Sequence, residues 1–94
     1  MATYETLVLI DPALGEDEVG KYVRKLENLI SQQKGKLVKE ENMGRRKLAY
    51  LIDDKTEGTY VRLELELDTQ NLKEFERNLR LESKILREMT LRLN

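Results

Sequence analysis

Arg45, Arg46 and Lys47 stand in a row, directly after Gly44 and directly before Leu48-Ala49-Tyr50-Leu51-Ile52. Three fixed cations at this spacing suit one chemistry, the holding of phosphate. A guanidinium grips two phosphate oxygens through parallel hydrogen bonds, whereas a lysine ammonium acts as a point charge. Gly44 permits a bulge or a positive φ just ahead of the cations. What the chain lacks narrows the alternatives. It has no Cys and no His, which removes disulfides, thiolate nucleophiles, imidazole bases and nearly every zinc or copper site. Carboxylates, Lys, Ser, Thr and Tyr remain, and carboxylates are so frequent that a pair of them says little about acid–base work. No catalytic residue, cofactor or metal is expected, and no small-molecule substrate.

The net charge of −1 argues by itself against a generic polyanion binder, but the distribution is uneven. Residues 1–35 carry net −2, 36–52 net +3, 53–76 net −5 and 77–94 net +3. Positive charge is thus concentrated in two segments, and a local patch matters more than the total. Ninety-four residues suit one domain, 1–94. With 39% hydrophobic and 37% charged residues, the core must be modest and the surface highly charged. No run approaches the roughly 18–20 apolar residues of a membrane span. The start, Met-Ala-Thr-Tyr-Glu, has neither the cationic nor the apolar region of a signal peptide. A soluble, cytoplasmic protein with no membrane contact is expected.

The elements that must position the cations follow from periodicity. Tyr4–Ile10 is apolar on both faces, Tyr4/Thr6/Val8/Ile10 and Glu5/Leu7/Leu9, so it reads as a central strand ended by Asp11-Pro12. From Glu16 to Gln33, Val19, Tyr22, Val23, Leu26, Leu29 and Ile30 share one helical face. Acids fill its first turn, Gly35 is placed to cap its end, and Gly20 inside it suggests close packing. Lys36–Ile52 reads as a long second strand with a polar, edge-like middle and a bulge near Asn42 and Gly44. A polar loop over Asp53–Gly58 is expected next. Thr59–Leu67 alternates, Val61, Leu63, Leu65 and Leu67 against Tyr60, Arg62, Glu64 and Glu66. Asp68 or Thr69 can cap a second helix carrying Leu72, Phe75 and Leu79. Ile85–Leu93 is a last strand whose inward face the pattern leaves open.

The order β-α-β-β-α-β predicts an α+β, ferredoxin-like sandwich: a four-stranded antiparallel sheet with two helices on one face. Strands one and three are central and strands two and four are edges. A metallochaperone of this fold would need a Cys pair. An RNA-recognition motif would need more aromatics than Tyr4 and Tyr60 on its central strands. An acylphosphatase-like enzyme would need an anion cradle where Asp11-Pro12-Ala13-Leu14-Gly15 stands, acidic and without Arg. On a regular strand Arg45 and Lys47 share one face and Arg46 takes the other. From charge alone, protection of an exposed sheet edge is the commoner role for such a run.

The resemblance of the chain reverses that weighting. Tyr4-Glu5, Gly44-Arg45-Arg46, Leu48-Ala49-Tyr50, and Leu79-Arg80-Leu81 followed by Ile85-Leu86-Arg87, in this order, resemble the ribosomal protein six family of the bacterial small subunit. The resemblance implies a structural protein that binds the central domain of small-subunit ribosomal RNA together with ribosomal protein eighteen. It makes Arg45, Arg46 and Lys47 candidates for phosphate contacts, with Arg80, Arg87 and Arg92 behind them. Tyr4 and Tyr50, with Leu7 and Leu9 on the predicted open face, are candidates for RNA or partner contact. The chain departs from the family's pattern at Ala2 and Thr3, where many members are basic, at Leu51 in place of Pro, and in stopping at Asn94 without a charged tail. A ferredoxin-like regulatory or ligand-binding domain that oligomerises through its sheet is the competing reading. The Gly-Arg-Arg-Lys run favours RNA, because the centre of an oligomer interface excludes charge.

Overall fold

In the computed structural model, which describes residues 1–94, the alternation of the first strand becomes a two-faced central strand. This is β1, Ala2–Ile10. It pairs antiparallel with β3, Lys55–Leu67, on one side and with β4, Ile85–Arg92, on the other. The edge strand β2, Lys36–Ile52, pairs antiparallel with β3, giving the order β2-β3-β1-β4. Helix α1 spans Glu16–Gln32. A 3-10 turn at Thr69–Asn71 leads into α2, Leu72–Arg80. The fold is the expected ferredoxin-like α+β sandwich.

The core forms on one face of the sheet. Tyr4, Val8 and Ile10 of β1 and Val61, Leu63, Leu65 and Leu67 of β3 pack against Val19, Val23, Leu26 and Ile30 of α1 and Phe75 and Leu79 of α2. Each such aliphatic or aromatic side chain, fully buried, contributes about 1.5–3 kcal/mol. Because both helices enter one cluster, they cover the same face and leave the other open. Thr6 is buried among these residues, its hydroxyl hydrogen-bonded to that of Thr90 at 2.9 Å. On β4, Leu86, Glu88 and Thr90 are half-buried while Arg87, Met89 and Leu91 are exposed on the open face. The pattern there was ambiguous because the inward set holds a carboxylate and a hydroxyl.

Several local expectations change. The β2–β3 connection is only Asp53-Asp54, since Ile52 pairs with Lys55. Both aspartates have positive φ, 49° and 63°, the pattern of a type I′ turn. Lys55–Gly58 are therefore strand rather than loop. They were hidden because this arm of the hairpin runs past the helices, so Lys55–Glu57 carry no apolar alternation, and the contact of Gly58 with Leu9 has no side chain to signal it. Lys34, not Gly35, takes the left-handed position after α1, at φ 60°. Its N–H reaches Ser31 O, and the Gly35 N–H reaches Ile30 O, which together close a Schellman motif. Gly35 is required for space: a Cβ there would lie 2.7 Å from Glu66 O and 2.8 Å from Leu67 Cδ1. Gly20 is the reverse, with nothing within 4 Å of a Cβ, so close packing does not account for it. Asp68 precedes the 3-10 turn but its side chain makes no capping hydrogen bond.

Candidate functional site

The bulge at Gly44 decides where the three cations point. Asn42 pairs with Val61 and Gly44 with Tyr60, so Met43 is the extra residue. Gly44 has φ +87°, and its N–H is bound by Asn42 Oδ1 at 2.8 Å. An extra residue inverts the alternation of everything after it. Before the bulge, Glu40 and Asn42 lie opposite the inward Leu63 and Val61. After it, Arg45 lies opposite the inward Thr59, and Arg46 opposite Gly58.

Arg45 accordingly turns to the helix side. Its Nη1 donates to Glu57 Oε1 at 2.8 Å, and its Nη2 donates to Pro12 O at 2.7 Å and to Leu14 O at 3.2 Å. Arg46 lies on the open face, where Nε and Nη2 donate to the carbonyl of Met43 at 3.2 and 3.1 Å. Lys47 lies opposite Glu57, on the side of the sheet that Arg45 takes, as the alternation predicts, and it also borders the hollow around Arg46. That hollow, of about 420 Å³, is also lined by Leu7, Met43 and Tyr60. A second one, of about 390 Å³, adjoins it and is lined by Leu7, Leu9, Tyr60, Arg87, Glu88 and Met89. Leu7 and Tyr60 belong to both, so the two form one trough across the open face. A larger hollow of about 790 Å³ lies on the helix side between α1 and β2. Its rim mixes Glu16, Asp17, Glu27 and Glu40 with Lys21 and Arg24 and gathers no cation cluster.

Arg87 closes the far end of the trough. Its Nη1 donates to the Tyr50 hydroxyl at 2.6 Å, and its guanidinium lies 6.0 Å from the centre of that ring. The hydroxyl beside it holds Arg87 still more firmly in its charged form. Tyr50 belongs to β2 and Arg87 to the opposite edge strand, so the tip of the β2–β3 hairpin curls over the open face. Leu9 lies beneath this arm and is only 1% exposed, although it points away from the main core. The arm fits because position 58 is Gly, where a Cβ would lie 2.7 Å from Leu9 Cδ1.

The remaining candidates are scattered. Tyr4, 2% exposed, faces the helices and offers no ring to a partner. Arg80 projects from α2 and bonds Glu88 Oε1 at 3.3 Å, and Arg92 is exposed near the end of β4 and bonds the Asn94 carbonyl. Arg46, Lys47 and Arg87 have no carboxylate within 4.0 Å, unlike Arg45, Arg80 and Arg62, the last bridging Glu5 at 3.3 Å and Glu41 at 3.4 Å. Tyr60, Met43 and Met89 are trough residues that the sequence reading did not single out. The alternation of β3 already set Tyr60 on the open face, whereas Met43, as a bulge residue, has no periodic signal.

Comparison with known proteins gives a consistent picture. Residues 3–92 match the family model described as ribosomal protein S6. The small ribosomal subunit protein bS6 of Acidobacterium capsulatum is 36% identical over 91 residues, 97% of this chain and 64% of its own length. The bS6 protein of Thermoanaerobacter pseudethanolicus is 36% identical over 98% of this chain and 97% of its own length. Among solved structures, the 30S ribosomal protein S6 of Thermotoga maritima superposes with a TM-score of 0.88 at 37% identity. That match covers 97% of this chain and 86% of the other.

Proposed function

This chain belongs to the ribosomal protein S6 family, and from that membership we propose that it works in the small subunit of the cytoplasmic ribosome, binding the central domain of small-subunit RNA together with ribosomal protein eighteen. Its role in this reading is structural rather than catalytic, and 1–94 acts as one domain. The observation that carries the reading is the trough on the open sheet face. Arg46 and Arg87 stand around it without carboxylate partners, so their charge is available to phosphate. Leu7, Met43, Tyr60 and Met89 give the same face an apolar centre suited to a protein partner.

The test is assembly of the purified protein on a central-domain RNA fragment, with and without ribosomal protein eighteen, across a salt series. Arg46→Ala with Lys47→Ala is expected to weaken assembly and to lower the salt slope by about 0.7–0.9 per lost phosphate contact. Tighter assembly is expected when the partner is present. An unchanged slope in the double variant, together with self-association of the free protein on sedimentation, would turn the reading to edge protection and to the oligomerising domain.

A further inference from the structure

Resting on that reading of the open face, we propose that Arg45, the first cation of the run, is an internal clamp rather than a phosphate ligand, and that the Met43 bulge separates a structural Arg45 from an RNA-facing Arg46. Position in sequence does not separate the two arginines, since they are neighbours of one type. The bulge does. Without the extra residue, even-numbered positions of β2 would keep facing the helices, as Glu40 and Asn42 do, and Arg46 rather than Arg45 would turn inward. Gly44 supplies the left-handed backbone, φ +87°, that the bulge needs, and Asn42 Oδ1 fixes it through the Gly44 N–H.

The inward guanidinium meets acceptors from two other elements. Glu57 belongs to β3, while Pro12 and Leu14 lie in the loop between β1 and α1. Nη1 is taken by the carboxylate and Nη2 is shared by the two carbonyls, so the fork ties the edge hairpin to that loop. The loop has internal bonds of its own, with Ala13 N–H on Asp11 Oδ1 at 2.8 Å and Leu14 N–H on Asp11 O at 3.1 Å. A planar fork with fixed donor geometry can serve three acceptors at once, whereas a lysine ammonium at the end of a flexible stem cannot replace it conservatively. A two-pronged grip on phosphate needs an Nη2 hydrogen, and both loop carbonyls draw on Nη2, so such a grip by Arg45 would break a bond to the loop. Arg46 gives up only hydrogen bonds to the carbonyl of Met43, three residues away.

Two readouts on the full chain test the division: amide hydrogen exchange of Ala13 and Leu14, and the salt slope of binding to the central-domain RNA fragment. Arg45→Ala is expected to speed exchange at both amides and to leave the slope as in the parent. Arg46→Ala should do the opposite, lowering the slope by about 0.7–0.9 with exchange unchanged. Should Arg45→Ala fold poorly, Arg45→Lys serves, because it keeps the charge and loses the fork; faster exchange with the parental slope is again expected. A slope lowered by Arg45→Ala as much as by Arg46→Ala, or loop exchange indifferent to Arg45→Ala and Arg45→Lys, overturns the clamp. If Arg46→Ala also leaves RNA binding untouched, the reading of the open face fails instead, and the exchange measurement still decides the clamp.

Discussion

Gly58 and Gly35 are the residues where one methyl group collides with neighbours that have little room to move. A Cβ at 58 would meet Leu9 Cδ1 at 2.7 Å and Ile10 O at 3.0 Å; one at 35 would meet Glu66 O at 2.7 Å. Gly58→Ala and Gly35→Ala are each expected to lower stability by about 1–3 kcal/mol, read from urea unfolding. Gly35→Ala should be the worse of the two, because its nearest obstacle is backbone. Glu82 offers a pH-dependent case. Burial pushes its carboxyl up, but the Tyr22 hydroxyl at 2.7 Å and the Lys25 ammonium at 3.1 Å outweigh this and hold it below its ordinary value. A carboxyl lowered on folding adds stability that is present above its unfolded pKa and fades as pH falls through the folded value. Glu82→Gln should therefore cost stability at neutral pH, and the gap to the parent should narrow as the pH drops below about 4.3, the ordinary glutamate value. A gap that stays constant down to pH 3 would contradict the assignment. The Tyr22 hydroxyl is pushed up, by burial first and then by Glu82, so its share persists below the ordinary tyrosine pKa and fades only above it.

Among the elements, α1 carries the clearest anomaly. Gly20 lies inside it with open space on the Cβ side. Gly20→Ala is expected to raise stability by about 1 kcal/mol, measured as a shift in urea midpoint at constant m-value. A loss would mean that a Cβ there is resisted by something the free chain does not reveal. The elements were legible in the sequence wherever one face was buried. Val61 to Leu67 alternate because the helices lie on one side, and Val19 to Ile30 repeat because the sheet does. Legibility ended where the second face mattered. The outer half of the hairpin passes beyond the helices, so Lys55 to Glu57 have no periodic signal and read as loop. The Met43 bulge was foreseen from Asn42 and Gly44, yet its consequence, Arg45 inward and Arg46 outward, depends on strand pairing that one strand cannot show. Tyr50 was a candidate for contact, but its partner Arg87 lies 37 residues away and across the sheet.

At the scale of the whole molecule, the net charge of −1 is arranged so that Arg46 and Arg87 stand on the open face without ion pairs. Should each of them neutralise one phosphate, a salt slope of about 1.4–1.8 is expected for this protein alone on RNA. A titration giving a slope of 5 or more would require phosphate contacts outside the trough. Binding alone is expected to be weak, and a basic partner seated on the apolar centre should both add cations and tighten it. The strand order carries a further consequence, for the growing chain. Ile10 of β1 finds its neighbour on β4 only at Ile85, so 75 residues must be added before that flank of the sheet can close. At cellular rates of synthesis this is roughly 4–15 s. Throughout that interval at least one margin of the central strand has N–H and C=O groups unpaired with any strand, and the helices can assemble over no more than part of their sheet. The nascent protein is thus a template for stray strand pairing until its last element emerges, and its vulnerable period is set by the pace of translation rather than by the strength of the finished core.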